Sequence, residues 1–277
     1  MPERDVSSAG REILSYYEGI DEAGRLGRGA GPLELARMRE LLGRFLPAAP
    51  GVVLDVGGGP GRYACWLAAN GYEVHLIDPV EKHVAQAREA SRSQPEHPLA
   101  SVRLGDARSL DQADESTDAV LLMGPLYHLT ARDDRMAALG EAYRVLKPGG
   151  VVIAKAINRF ASLLDGLTEG YIDDPDFVSI LRRDLEEGQH RGRPDDVGYF
   201  TTGFFHRPEE LEREVREAGF GQPGTYAVQG PGAVATDLDG RMSDPVKRAQ
   251  LMDLIRSVEE EPTLLGMSAH FVVVART

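Results

Sequence analysis

A single cysteine, Cys65, in 277 residues rules out an intramolecular disulfide and any zinc cluster built on several thiolates. Positive charge is also scarce: 31 lysines and arginines stand against 44 aspartates and glutamates, a formal net charge of −13. Binding driven by counterion release from a phosphate backbone needs clustered cations, and no basic block interrupts the chain. The charge therefore argues against a nucleic-acid partner, although a local basic groove is compatible with it. No apolar run approaches the roughly 20 residues that span a bilayer. The opening Met-Pro-Glu-Arg-Asp lacks the basic and then apolar pattern of a secretory signal. Internal repeats and low-complexity tracts are missing too. The expectation is a cytoplasmic globular protein with no membrane partner, long enough for one large domain or a domain plus a cap.

Apolar positions recur at helical spacing over 11–18 (Ile13, Leu14, Tyr17) and 33–46 (Leu35, Met38, Leu41, Leu42, Phe45), separated by a glycine-rich stretch. Pro47 to Gly51 ends the second helix, because proline and glycine do not continue it. From Val52 strands and helices alternate. Strands are expected at 52–56, 73–77, 101–104, 118–123 and 151–156, with helices over 62–70, 81–92 and 133–146 between them. The last helix is expected to end in a Lys147-Pro148-Gly149-Gly150 turn. Alternation resumes with a helix over 208–218, opened by proline and two glutamates, and closes with strands near 225–229 and 270–275. This pattern predicts an α/β fold, doubly wound, around a mostly parallel seven-stranded sheet with helical cap insertions. We divide the chain into an N-terminal helical cap (1–48), a Rossmann-like core (49–157), a cap insertion over the active face (158–206) and a C-terminal part of the core (207–277). The last part carries an insertion at 231–266 with a helix over 245–260.

The first strand ends in Asp55-Val56, followed by Gly57-Gly58-Gly59-Pro60-Gly61 and a helix. A bare backbone turn at the carboxyl end of a parallel sheet is where open α/β sheets take ligands. A dinucleotide loop would want a third glycine where Arg62 stands, and its pyrophosphate would sit poorly beside Asp55. Asp55 is placed to meet a cationic amine instead. The second strand ends in Asp78, 21 residues after Gly57, suited to both hydroxyls of a ribose. The third ends in Leu104-Gly105-Asp106-Ala107, where an acid can accept from an adenine amino group. Three acids at successive strand ends beside one glycine loop point to a nucleoside cofactor.

On these motifs residues 52–157 resemble the core of class I S-adenosylmethionine (SAM)-dependent methyltransferases, within the small-molecule group of methyltransferase domain types 11 and 25. The resemblance places the family's first motif on Asp55, Gly57, Gly59 and Gly61, its ribose acid on Asp78 and its adenine-side acid on Asp106. Its fourth motif falls on 118–129 and its post-core signature on 144–150. It implies S-adenosyl-L-methionine as cofactor, in contact with those residues and with Gly58, Pro79, Gly105, Ala107, Met123 and Gly124. It also implies that the segment holding Tyr16, Tyr17 and Arg25 folds over the cofactor, where Arg25 either pairs with its carboxylate or stays a surface arginine.

Methyl transfer from a sulfonium is an in-line displacement that removes the donor's positive charge. Positioning supplies about 7–11 kcal/mol of such a barrier and a general base about 3–5, so a base is optional. Gly124-Pro125-Leu126-Tyr127-His128 follows the fourth strand and faces the methyl group in this fold. Tyr127 and His128 are the catalytic candidates; His128 either takes a proton from the acceptor or bonds a carbonyl and shapes the pocket. In the cap, His190, Tyr199, Phe200 and His206 are the candidates for contact with an organic acceptor. His128, His190, His206 and His270 share no short ligand spacing, so no metal is expected. Cys65 reads as packing rather than as a nucleophile. The leading reading is methyl transfer to an oxygen or nitrogen of a small molecule. The alternatives are a nucleic-acid (RNA) methyltransferase, disfavoured by Gly-Pro-Leu-Tyr in the fourth motif and by the charge, and a non-catalytic SAM-binding regulator. A homodimer is compatible with the sequence and not specified by it.

Overall fold

The computed structural model describes residues 8–192 and 199–277, so parts of the expected N-terminal cap (1–7) and cap insertion (193–198) lie outside the described residues. Seven strands form the main sheet: β1 (Val52–Val56), β2 (Glu73–Asp78), β3 (Ser101–Leu104), β4 (Thr117–Leu122), β5 (Leu146–Ile157), β8 (Gly224–Ala227) and β9 (His270–Arg276). Their spatial order is β3-β2-β1-β4-β5-β9-β8, and β9 alone runs opposite to the other six. This is the expected doubly wound, mostly parallel sheet.

A sheet covered on both faces needs strands that are apolar on both sides, and alternate side chains then feed two separate layers. Leu54, Val56, Val120 and Leu122 enter one layer. There they meet Ala138, Leu139 and Ala142 of α7 (Arg132–Val145) and Leu211 and Val215 of α10 (Pro208–Glu217). Val53, Val74, Ala119 and Leu121 enter the other. Opposite them lie Met38, Leu41 and Leu42 of α3 (Gly31–Phe45), Ala64 and Leu67 of α4 (Arg62–Ala69), and Ala87 of α5 (Glu81–Arg92). The two face helices α7 and α10 are also tied by charge: Arg135 donates to Glu214 at 2.7 Å.

Three local expectations needed revision. The Lys147–Gly150 stretch is not a turn between helix and strand; β5 already begins at Leu146. Thr117 faces Leu146 but Ala119 faces Val151, so the Pro-Gly-Gly segment bulges out of one long strand. A short helix, α2 (Glu22–Arg25), stands in the glycine-rich stretch between α1 (Ser8–Gly19) and α3, capped by Asp21 accepting from the Gly24 amide at 3.1 Å. The fourth motif forms one helical turn, α6 (Pro125–His128), with proline at its first position.

Between β5 and α10 the cap carries α8 (Ala161–Glu169), α9 (Pro175–Glu187) and a two-stranded ribbon, β6 (Gln189–His190) with β7 (Gly203–Phe204). Between β8 and β9 lie α11 (Leu238–Ser243) and α12 (Pro245–Arg256), the latter shorter than expected. Among the described residues no helix is long and apolar enough to cross a membrane.

Candidate active site

The glycine loop leaves β1 and turns back against α6. Gly57 has φ +69°, and a Cβ there would lie 2.7 Å from the Pro125 ring. At Gly58 a Cβ would meet an Asp55 carboxylate oxygen at 2.7 Å and Leu76 at 2.8 Å, so any side chain would fill the space above the strand end. The loop is pinned to β2 by backbone amides that donate hydrogen bonds, Gly57 and Gly58 to the Ile77 carbonyl at 2.7 and 3.4 Å and Gly59 to Asp78 Oδ2 at 2.8 Å.

Asp78 is buried and heavily held. Its Oδ1 also accepts from the Val80 amide at 2.9 Å and from His83 Nδ1 at 3.1 Å. The other ring nitrogen of His83, Nε2, has no protein partner. Asp55 is the opposite case. It is fully buried, neither of its oxygens has a hydrogen-bond partner, and burial together with the neighbouring Asp78 charge pushes its carboxyl up to about 7. A buried carboxylate without donors is costly, so the needs of the fold do not account for Asp55.

Beside these strand ends lies an aromatic wall. The Tyr17 hydroxyl of α1 meets His128 Nε2 at 2.8 Å, and its ring stands edge-on to both His83 (5.1 Å) and His128 (5.3 Å). Phe200 stacks on His128 at 5.7 Å and contacts Tyr16 and Tyr127. Burial pushes the His128 ring down to about 4, against a smaller opposing pull from the Thr202 carbonyl and Asp78, so it is neutral at pH 7. Burial likewise holds the Tyr17 and Tyr127 phenols above their ordinary range. Lys82 clamps the end of α1 over this wall, donating to the Glu18 and Ile20 carbonyls at 2.8 Å each.

Several sequence-derived candidates sit differently from expectation. Arg25 donates to Glu34 (2.8 Å) and Glu22 (2.8 Å), ion pairs the sequence did not predict, and its side chain remains 40% exposed. Asp106 forms an ion pair with Arg108 at 2.6 Å, which the adenine-side expectation did not include. In the cap, His190 is buried with Nδ1 on Asp184 (2.8 Å) and Nε2 on the Tyr199 carbonyl (2.7 Å), and it stacks on Phe205. The Tyr199 hydroxyl donates to Asp174 at 2.5 Å. His206 is buried against Glu214 at 3.3 Å. His190 and Tyr199 bond within the cap and His206 bonds to α10, and of the four cap candidates Phe200 is the one on the His128 wall. Pro79, Gly105, Ala107, Met123 and Gly124 remain at or just beyond the ends of β2, β3 and β4. Cys65 is half-buried, with its thiol raised by burial.

Sequence reasoning missed Glu34, Lys155, His83 and Tyr63. Glu34 of α3 is buried, accepting from Lys155 of β5 at 2.5 Å as well as from Arg25. Lys155 interrupts an apolar strand buried on both faces, which is a readable anomaly. Nothing local marks Glu34 as its partner.

Residues 54–154 match the family model for the methyltransferase domain. That core belongs to the methyltransferase domain family. The chain is 34% identical over 140 residues to methyltransferase GfsG of Streptomyces halstedii, covering 50% of this chain and 46% of that protein. The chain thus spans about half the length of that relative. With the glycine/sarcosine N-methyltransferase of Aphanothece halophytica it shares 29% identity over 181 residues, 63% of this chain and 68% of that one. Among solved structures, a SAM-dependent methyltransferase from Thermotoga maritima, described as a possible histamine N-methyltransferase, superposes with a TM-score of 0.58. That match covers 96% of this chain and 98% of the other at 22% identity, a likeness of fold. The family and fold imply S-adenosylmethionine as cofactor, and the buried, unpartnered Asp55 carboxylate suits its cationic amine.

Proposed function

We propose that the protein transfers a methyl group from S-adenosylmethionine to an oxygen or nitrogen of a small molecule held under the cap. The observation that carries this reading is the neutral, buried His128–Tyr17 pair standing beside Asp78 and walled by Tyr127 and Phe200. Bound there, the cofactor supplies an electrophilic methyl on a cationic sulfur. Asp78 orients the ribose and Asp55 the amine, while the glycine loop lets the ligand lie against the main chain. The aromatic wall excludes water, which keeps the acceptor's lone pair unsolvated and aimed. A ring kept unprotonated at pH 7 places no second positive charge beside the sulfonium before transfer and keeps a lone pair for the acceptor's proton, which leaves as the sulfonium charge is lost. The segments 1–48, 158–206 and 231–266 act as caps in this scheme. Amine and small-molecule methyltransferases among the similar proteins favour the acceptor class without naming the acceptor.

Calorimetric titration tests the reading: S-adenosylhomocysteine binds and NAD does not, and a preference for NAD sinks it. His128→Ala lowers turnover of a methylated acceptor by about 10²–10⁴-fold if the ring handles the proton, with S-adenosylhomocysteine affinity little changed. Unchanged turnover would assign His128 to shaping the pocket.

A further inference from the structure

Tyr63 is the third residue after the glycine loop's Pro60 and lies in the first turn of α4. Its ring belongs to the apolar layer that includes Leu26, Met38 and Leu76, and the residue is 8% exposed. Its hydroxyl, however, has no hydrogen-bond partner in the protein. A phenylalanine would fill the same space without leaving a buried donor unmatched, so packing alone does not account for the oxygen. The charged and polar groups that act on this hydroxyl are Glu34, Arg25, Asp55 and Tyr127, which places it at the same end of the sheet as the cofactor loop. Asp55 and Tyr63 are thus two buried, unpartnered groups, one an acceptor and one a donor, flanking Gly57–Gly61. They do not satisfy each other.

We propose that Tyr63 is a cofactor-binding residue whose hydroxyl donates to the carboxylate at the amino-acid end of the cofactor, while Asp55 accepts from the ammonium of that same end. This rests on the S-adenosylmethionine reading and adds a residue to it. An α-amino acid is a zwitterion, and a donor paired with an acceptor is its complement. Arg25, the residue the sequence offered for the carboxylate, already serves Glu34, and the Tyr63 phenol is a further donor at that end. Burial and the nearby Glu34 charge raise the Tyr63 phenol well above its ordinary value, so it remains a donor throughout the working pH range.

Two ligands separate this end from the rest of the cofactor. S-adenosylhomocysteine carries the amino acid; 5′-methylthioadenosine has the same adenosine and thioether without it. By calorimetry, Tyr63→Phe weakens S-adenosylhomocysteine by about 10- to 50-fold, the scale of one hydrogen bond to a charged group, and leaves 5′-methylthioadenosine within about twofold. The melting temperature of ligand-free Y63F stays level or rises, because the variant loses only an unmatched hydroxyl. Equal S-adenosylhomocysteine affinity in the two proteins overturns the assignment, as does an equal loss for both ligands or a lowered melting temperature. A wild-type protein that binds neither ligand overturns the cofactor reading itself, a different result from a tight wild type that Y63F matches.

Discussion

Asp55→Asn raises the melting temperature of the ligand-free protein by roughly 5 °C at pH 8, and it weakens S-adenosylhomocysteine by about 100-fold. The two effects have one origin. The Asp55 carboxyl stands at about 7 in the folded protein, because burial and the Asp78 charge disfavour its ionised form. In the unfolded chain it returns to the ordinary value near 3.9. An acid whose folded value is raised holds its proton longer folded than unfolded. The fold therefore loses stability as pH climbs from about 4 to about 7 and carries the full penalty above that, at most about 4 kcal/mol. Asparagine removes the charge and with it the penalty, although its own unmatched amide offsets part of the gain. The advantage of the variant should shrink as pH falls towards 4. A constant difference in melting temperature between pH 4 and pH 8 would show that Asp55 does not titrate as described. On the binding side, the amide no longer offers an anion to the ammonium, so affinity falls even though the cradle keeps its shape. Stability gained together with binding lost is the signature of a residue kept for its ligand.

Glu34→Gln is the second large effect, and it runs the other way. Glu34 accepts from Lys155 and from Arg25, and both it and Lys155 are buried. Removing its charge leaves the Lys155 ammonium in the sheet centre without a counter-ion, a loss of about 3–5 kcal/mol or roughly 10 °C. Lys155 is already held below the ordinary lysine value by burial, with Glu34 pulling it back up. Without Glu34 the lysine sheds its proton more readily. Adding Lys155→Met to the variant should restore about 1–3 kcal/mol, the coupling expected of a pair that acts as a unit. Additive losses in the double variant, read from thermal melts, would refute the pairing.

The parts of the molecule legible in the sequence are those whose partners are near neighbours along the chain. The glycine loop, Asp55 and Asp78 fall within 24 residues, and the strand and loop that carry them dictate where they point. The mostly parallel sheet follows from short apolar strands alternating with helices, as in Val53–Val56 and Ala119–Leu122. What stayed hidden depends on distant segments meeting. Glu34 and Lys155 are 121 residues apart, and Tyr17 and His128 are 111 apart. Neither residue of such a pair carries a local sign of the other. The cap misled for a related reason. Its histidines and tyrosine look like ligand groups, yet a small insertion must satisfy its own buried polar atoms first, and His190 between Asp184 and the Tyr199 carbonyl does that. The Lys147–Gly150 bulge was misread because proline and glycine punctuate a strand as readily as they end a helix.

The reversed direction of β9 has a further result. β5 and β8 both rise towards the rim that carries Asp55 and Asp78, and β9 descends from it. The chain therefore crosses that rim twice more after β5, once between β5 and α10 and once between β8 and β9. Had β9 run with the others, its connection from β8 would have travelled to the far end of the sheet. The one backward strand thus adds a second loop at that rim, beside the connection from β5 to α10, and both can change in length without touching Asp55 or Asp78.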